Sequence, residues 1–231
     1  MPINLRVLCL VALLVAACSA RDTERRSQAV ASPIQQASAQ PSPQPGSSIR
    51  LIDFANFTYP SKPVYMEGAK TFTLQNGRYP GVEERDRIGL ASLIYGDATG
   101  DGNEEALIVI NMSVRGTAIP YFVYIYSMEN QKPRLLWAFA AGDRADGGLR
   151  QVAAAGGELI IELYGIGKTI GKDLYADDGM TGGDCCPTHF TRARYNWQGN
   201  AFKQKSPEEV LSIPPGAPMI MPEYNTPAAQ R

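Results

Sequence analysis

The chain has 231 residues, room for one generous domain or two small ones. Its 22 basic and 23 acidic side chains leave a net charge of −1 with no basic stripe, which argues against a nucleic-acid partner. A lone Cys185-Cys186 pair with no second pair excludes a four-cysteine zinc site.

The N-terminus reads as an export signal. Arg6 precedes the apolar run Val7 to Ala17, which is too short to cross a bilayer comfortably and has the layout of a secretory leader. The run closes on Val15-Ala16-Ala17-Cys18, which resembles the lipobox of bacterial lipoproteins; the alternative is an ordinary signal cleaved near Ala20. The resemblance implies that residues 1–17 are a removable signal peptide. Cys18 then becomes the first residue, carrying a thioether-linked diacylglycerol and an amide-linked acyl chain of the palmitate kind. Several chains on one residue anchor stably where one does not. Ser19 rather than an aspartate stands directly after Cys18, so the expected address is the envelope, the outer membrane in a Gram-negative cell, with the head in the periplasm or at the surface. No later segment is long and apolar enough to cross a membrane.

Residues 18–48 form a Pro/Gln/Ser-rich tether, including Gln40-Pro41-Ser42-Pro43-Gln44-Pro45-Gly46, with almost nothing to offset ordering entropy. A β-rich domain is expected over 49–213. Ile49 to Phe57 suits a first strand. Phe72 to Tyr79 is a hairpin around Asn76-Gly77, the dipeptide a type I′ turn prefers, and Glu83 to Arg87 is a solvated charged connection. Ile88 to Tyr95 leads into an acidic loop that Ala106 to Met112 leaves as a buried strand, before a turn at Arg115-Gly116. Tyr121 to Tyr126 places large apolar groups on both faces, which reads as a central strand covered on both sides rather than a cofactor-stacking platform. A turn at Met128–Pro133 leads into Arg134 to Phe139. Leu149 to Ala154 pairs with Glu158 to Tyr164 across Gly156-Gly157, and after the long loop Gly165–Pro187 come His189 to Trp197 and Ala201 to Lys203. Ser206 as N-cap, Pro207 as first helical residue and Glu209 closing a capping box predict a short helix over 206–211. Residues 214–231 read as a disordered Pro-rich tail. The expected fold is therefore all-β, mostly antiparallel, a hairpin-linked sheet or sandwich with one short C-terminal helix, and nothing repeats at propeller or solenoid period.

The acidic loop carries the chemistry. Oxygen-bearing side chains fall at alternate positions, Asp97, Thr99, Asp101, Asn103 and Glu105, with Gly100 and Gly102 between them. It is not an EF-hand, because position twelve falls on Ile108 and a strand follows. It resembles instead the calcium loop of FG-GAP and VCBS-type β repeats, Gly-Asp-x-Asn-Gly-Asp-Gly-x-x-Asp between two strands. The resemblance covers about residues 95 to 110 and implies structural calcium bound by Asp97, Thr99, Asp101, Asn103 (through its carbonyl) and Glu105. Thr99 stands for the usual Asn and Glu105 for the usual Asp, so the expected Kd lies at roughly 10⁻⁴–10⁻³ M. The alternative is a turn closed by its own side-chain hydrogen bonds. The whole head is similar to small exported bacterial lipoproteins that share this loop and a Cys-Cys-Pro segment, a family with no established activity to carry over.

Cys185 and Cys186 are candidates for a vicinal disulfide, for free thiols or for bonds to a partner chain, with His189 three residues beyond. Asp173, Asp177, Asp178 and Asp184 are solvated loop charges or, in a rival reading, the carboxylates of an envelope hydrolase. The leading expectation is a non-catalytic, lipid-anchored, calcium-stabilised module whose partner is an envelope protein or glycan reached through the 165–187 loop.

Overall fold

The computed structural model describes residues 48–64, 68–81, 87–113, 120–142, 147–170 and 186–220. Eleven strands lie in this part, with two single 3₁₀ turns ahead of them. Strands β3 (Arg87–Gly96), β4 (Glu105–Ser113), β5 (Tyr121–Glu129) and β6 (Lys132–Ala140) make an antiparallel meander in that order. Strands β7 (Leu149–Ala155), β8 (Glu158–Tyr164) and β9 (His189–Trp197) form a second antiparallel sheet. The far edge of β9 is shared by β10 (Phe202–Gln204) and β11 (Glu209–Ser212). A two-stranded ribbon, β1 (Thr58–Pro60) with β2 (Thr71–Thr73), completes the set. The fold is all-β and antiparallel, as expected.

Each sequence pattern matches its layer. Leu107 and Val109 of β4 and Tyr121, Val123 and Ile125 of β5 face Val152, Leu159, Ile161 and Tyr195 of the second sheet, so the two sheets pack as a sandwich. The alternate residues Ile108, Ile110, Phe122, Tyr124 and Tyr126 face the opposite way and are covered by Ile49, Phe54, Tyr59 and Phe72. This third layer explains the unbroken apolar runs at 106–110 and 121–126, since strands buried on both faces lose their alternation. The aromatic run of β5 is core: the Tyr124 ring lies tilted against that of Tyr59 with centroids 5.1 Å apart, and its hydroxyl donates to the Pro60 carbonyl at 2.8 Å.

Turn chemistry was legible. Asn76 and Gly77 both have positive φ, 51° and 78°, as a type I′ turn requires, and so do Gly156 and Gly157, 62° and 74°, between β7 and β8.

Two expectations are corrected. Ile49 to Phe57 is not a strand: Ser48 and Asp53 each accept a backbone N–H two residues on and start separate 3₁₀ turns. Nor is 206–211 a helix. The chain is already laid along β9 through β10, and the Lys205 N–H donates to the Arg194 carbonyl at 2.8 Å. Continuing as β11 pairs Glu209–Ser212 with Arg192–His189, a stretch of edge that a helix would leave open. Pro207 cannot donate to a ladder, so it marks the break between β10 and β11 rather than a helix start. Of the tail, residues 214–220 are described, with Ile220 bonded to Tyr164; residues 221–231 and the tether up to residue 47 lie outside the described residues. The signal peptide and Cys18, Glu83–Asp86, Arg115-Gly116, Cys185 and the four aspartates of the 165–187 loop lie outside the described residues.

Candidate functional site

The acidic loop connects β3 to β4, with Gly96 opposite Glu105. Gly100 and Gly102 take positive φ, 78° and 86°, and turn the chain tightly. Asp97 sits inside this turn. Its Oδ1 accepts the Gly100 N–H at 2.6 Å and its Oδ2 the Gly102 N–H at 3.0 Å. Asp101 Oδ1 accepts the Asn103 N–H at 2.8 Å.

Glu105 behaves differently from the other acids. As the first residue of β4 it shares the inward face of Leu107, and it is fully buried. Its Oε2 accepts the Ala98 N–H at 2.8 Å and the Thr99 N–H at 3.1 Å, while Thr99 Oγ1 stands 3.5 Å from Oε1. Burial pushes its carboxyl up to about 7, against the pull of the Ala98 amide and the Ser127 hydroxyl and with Asp101's charge adding to the rise. Ala98 is buried too, so the loop inserts one methyl group and one carboxyl into the end of the sandwich.

The loop also touches the other sheet. A Cβ on Gly157 would lie 3.0 Å from the Gly100 Cα, and one on Gly96 would lie 2.9 Å from the Ala154 Cβ. Two turns from opposite sheets therefore meet backbone to backbone, which only glycines permit. The third layer adds a brace: Arg50 donates to both oxygens of Glu104 at 2.6 and 2.8 Å and lies 4.5 Å from the centre of the Tyr95 ring. That bond holds the Glu104 carboxyl below the usual carboxylate range.

The structure places all five predicted ligands along one loop and the first residue of β4. The donors are hard oxygens of the kind calcium takes. Both Asp97 oxygens and one Asp101 oxygen are occupied by amides, however, and Glu105 turns into the core. Among the described residues no group of three or more His, Cys, Asp or Glu side chains is placed to hold a metal. Elsewhere, Cys186 is exposed, and His189 Nδ1 lies 2.9 Å from Thr188 Oγ1 at the start of β9.

Sequence reasoning missed a second charged constellation on the outer face of the second sheet. Glu162 of β8 is buried between Arg150 and Arg192; Arg192 Nε and Nη2 lie 2.8 and 2.6 Å from its Oε1, and Arg150 donates to its Oε2. Arg150 also lies over the Phe190 ring at 4.1 Å. The signal was present as period-two alternation, Glu158 and Glu162 on one strand and Arg192 and Arg194 on the next. The register places Glu162 directly opposite Arg192.

No protein-family model matches the chain, and neither a curated protein nor a solved structure matches it significantly. What its own geometry defines is a class: an antiparallel β-sandwich with a third, aromatic layer and an acidic clasp at one end. Among the described residues no helix is long and apolar enough to cross a membrane.

Proposed function

We propose that the chain is a lipid-anchored, non-catalytic module of the bacterial envelope, its β-sandwich serving a binding or structural role at the end of a tether from Cys18. The observation that carries the structural half is the loop itself. Glu105 binds the Ala98 and Thr99 amides and closes the loop on itself, while Gly100 lies in close contact with Gly157 of the other sheet, so the most conspicuous chemistry in the sequence serves packing. The Val15-Ala16-Ala17-Cys18 segment supports the anchor. Expressed with its leader in a Gram-negative host, the chain is expected in the membrane fraction with a mass increase of diacylglycerol plus acyl chain. Cys18→Ser is expected to abolish both, and a wild-type chain recovered unmodified in the soluble fraction would overturn the anchor.

Calcium binding through Asp97, Thr99, Asp101, Asn103 and Glu105 is the second reading. It is favoured by Asp101's charge standing beside a buried carboxylate that has no cationic side chain among the described residues. A cation there would supply charge neutralisation and nothing catalytic. At a tenfold excess over Kd, reached at a few millimolar, it would stabilise the fold by about 1.4 kcal/mol. Thermal unfolding of the full chain in millimolar calcium and in chelator decides: a rise of several degrees that Asp101→Ala removes establishes the ion. Superimposed curves leave the loop a hydrogen-bonded clasp. The rival hydrolase reading places turnover on Asp177 and Asp184, and Asp177→Asn with Asp184→Asn would abolish it.

A further inference from the structure

Tyr164, the last residue of β8, is buried yet belongs to neither core, and the same holds for Phe190, its partner across the ladder to β9. The Tyr164 hydroxyl donates to the Ile220 carbonyl at 2.8 Å and accepts the Ile220 N–H at 2.8 Å. One side chain thus takes the place of a strand partner for that residue. Between β11 and this pin run residues 213–220. Pro214, Pro215 and Pro218 have no N–H to give, and residues 214–218 are exposed. Apart from the Tyr164 pair, the described hydrogen bonds of this stretch are Ile213 N–H to the Thr188 carbonyl at 2.7 Å and Ala217 N–H to Pro214 within its own turn at 3.0 Å.

We infer that residues 213–220 are a strap that opens and closes as a unit while the sandwich stays folded, with the Tyr164 hydroxyl as its latch. Segments with few hydrogen bonds to the body and little buried apolar surface occupy the low-stability end of a fold. Here Ile213, Met219 and Ile220 are half-buried, residues 214–218 are exposed, and the described hydrogen bonds at the far end run to one hydroxyl. Opening releases the Tyr164 hydroxyl at the end of β8, opposite Phe190 in the ladder and just before Gly165.

Amide hydrogen exchange on the full chain, wild type and Tyr164→Phe, tests it. In the wild type the Ile220 amide is expected to exchange faster than the amides of β8 and to be insensitive to denaturant well below the unfolding midpoint. Tyr164→Phe is expected to strip Ile220 of roughly 10- to 50-fold protection, the worth of two ordinary hydrogen bonds, and to leave β8 unchanged. Three results would each overturn the strap: Ile220 exchanging in step with β8 in the wild type, Tyr164→Phe leaving Ile220 unaltered, or the variant loosening β8 to the same degree.

Discussion

Replacing Glu105 by alanine is expected to destabilise the protein by about 4 kcal/mol, a fall of roughly 10 °C in melting temperature for a domain of this size. The side chain is fully buried, and its loss orphans the Ala98 and Thr99 amides in the end of the sandwich while leaving a void under the loop. Glutamine is expected to behave oppositely. Its oxygen can accept both amides and its NH₂ can face the Thr99 and Ser127 hydroxyls, so packing survives and the charge is gone. The pH dependence separates the two effects. A carboxyl whose folded value is about 7, against an ordinary 4.5, binds its proton more tightly in the folded state. Stability is therefore greatest below the unfolded value and falls as pH rises from about 4.5 to 7, by about 3 kcal/mol at most, remaining at the lower level above. Denaturant unfolding of the wild type from pH 4 to 8 is expected to show this decline, and Glu105→Gln to flatten it and to be the more stable protein at pH 8. A wild-type profile that does not fall across this interval would show that the carboxylate is stabilised in its charged form, which the amides alone do not achieve.

What could be read from the sequence was whatever a few neighbouring residues decide. Asn76-Gly77 and Gly156-Gly157 announce their turns because positive φ is required there and glycine meets it most cheaply. The runs at 106–110 and 121–126 announce double burial because period-two alternation is missing. The failures came where a distant element outbid a local signal. Ser206, Pro207 and Glu209 make a sound capping box, but the open edge of β9 offered Glu209–Ser212 a ladder. Glu105 reads as one more oxygen in an alternating series. Its burial follows from the second sheet closing over the end of β4, and the only local hint was an apolar Ala98 set among acids. Glu104 gave no hint of Arg50, because that pair joins the third layer to the loop across 54 positions of chain.

Glu162→Gln is expected to cost about 3 kcal/mol, close to 8 °C in melting temperature. The Glu162 side chain is 3 % exposed, and the two arginine side chains that converge on it are 18 % and 30 % exposed, so removing its charge leaves two half-sheltered cations facing each other across β8. Water and salt can compensate little at that depth, and the loss is expected to persist in half-molar sodium chloride. The Arg50–Glu104 pair is the control. With side chains 53 % and 42 % exposed, it has equally short bonds but solvent on both partners, and Glu104→Gln is expected to cost less than about 1 kcal/mol and nothing measurable at high salt. The two variants therefore distinguish burial from geometry as the source of the effect. Replacing Arg150, Glu162 and Arg192 together by apolar residues of similar volume extends the test, since an apolar cluster escapes the desolvation that the ions incur. If that triple variant melts near the wild type while Glu162→Gln does not, the network acts by fixing register between β7, β8 and β9, where a slip of β8 by one residue would turn Glu162 to the inner face and Leu159, Ile161 and Leu163 out to solvent.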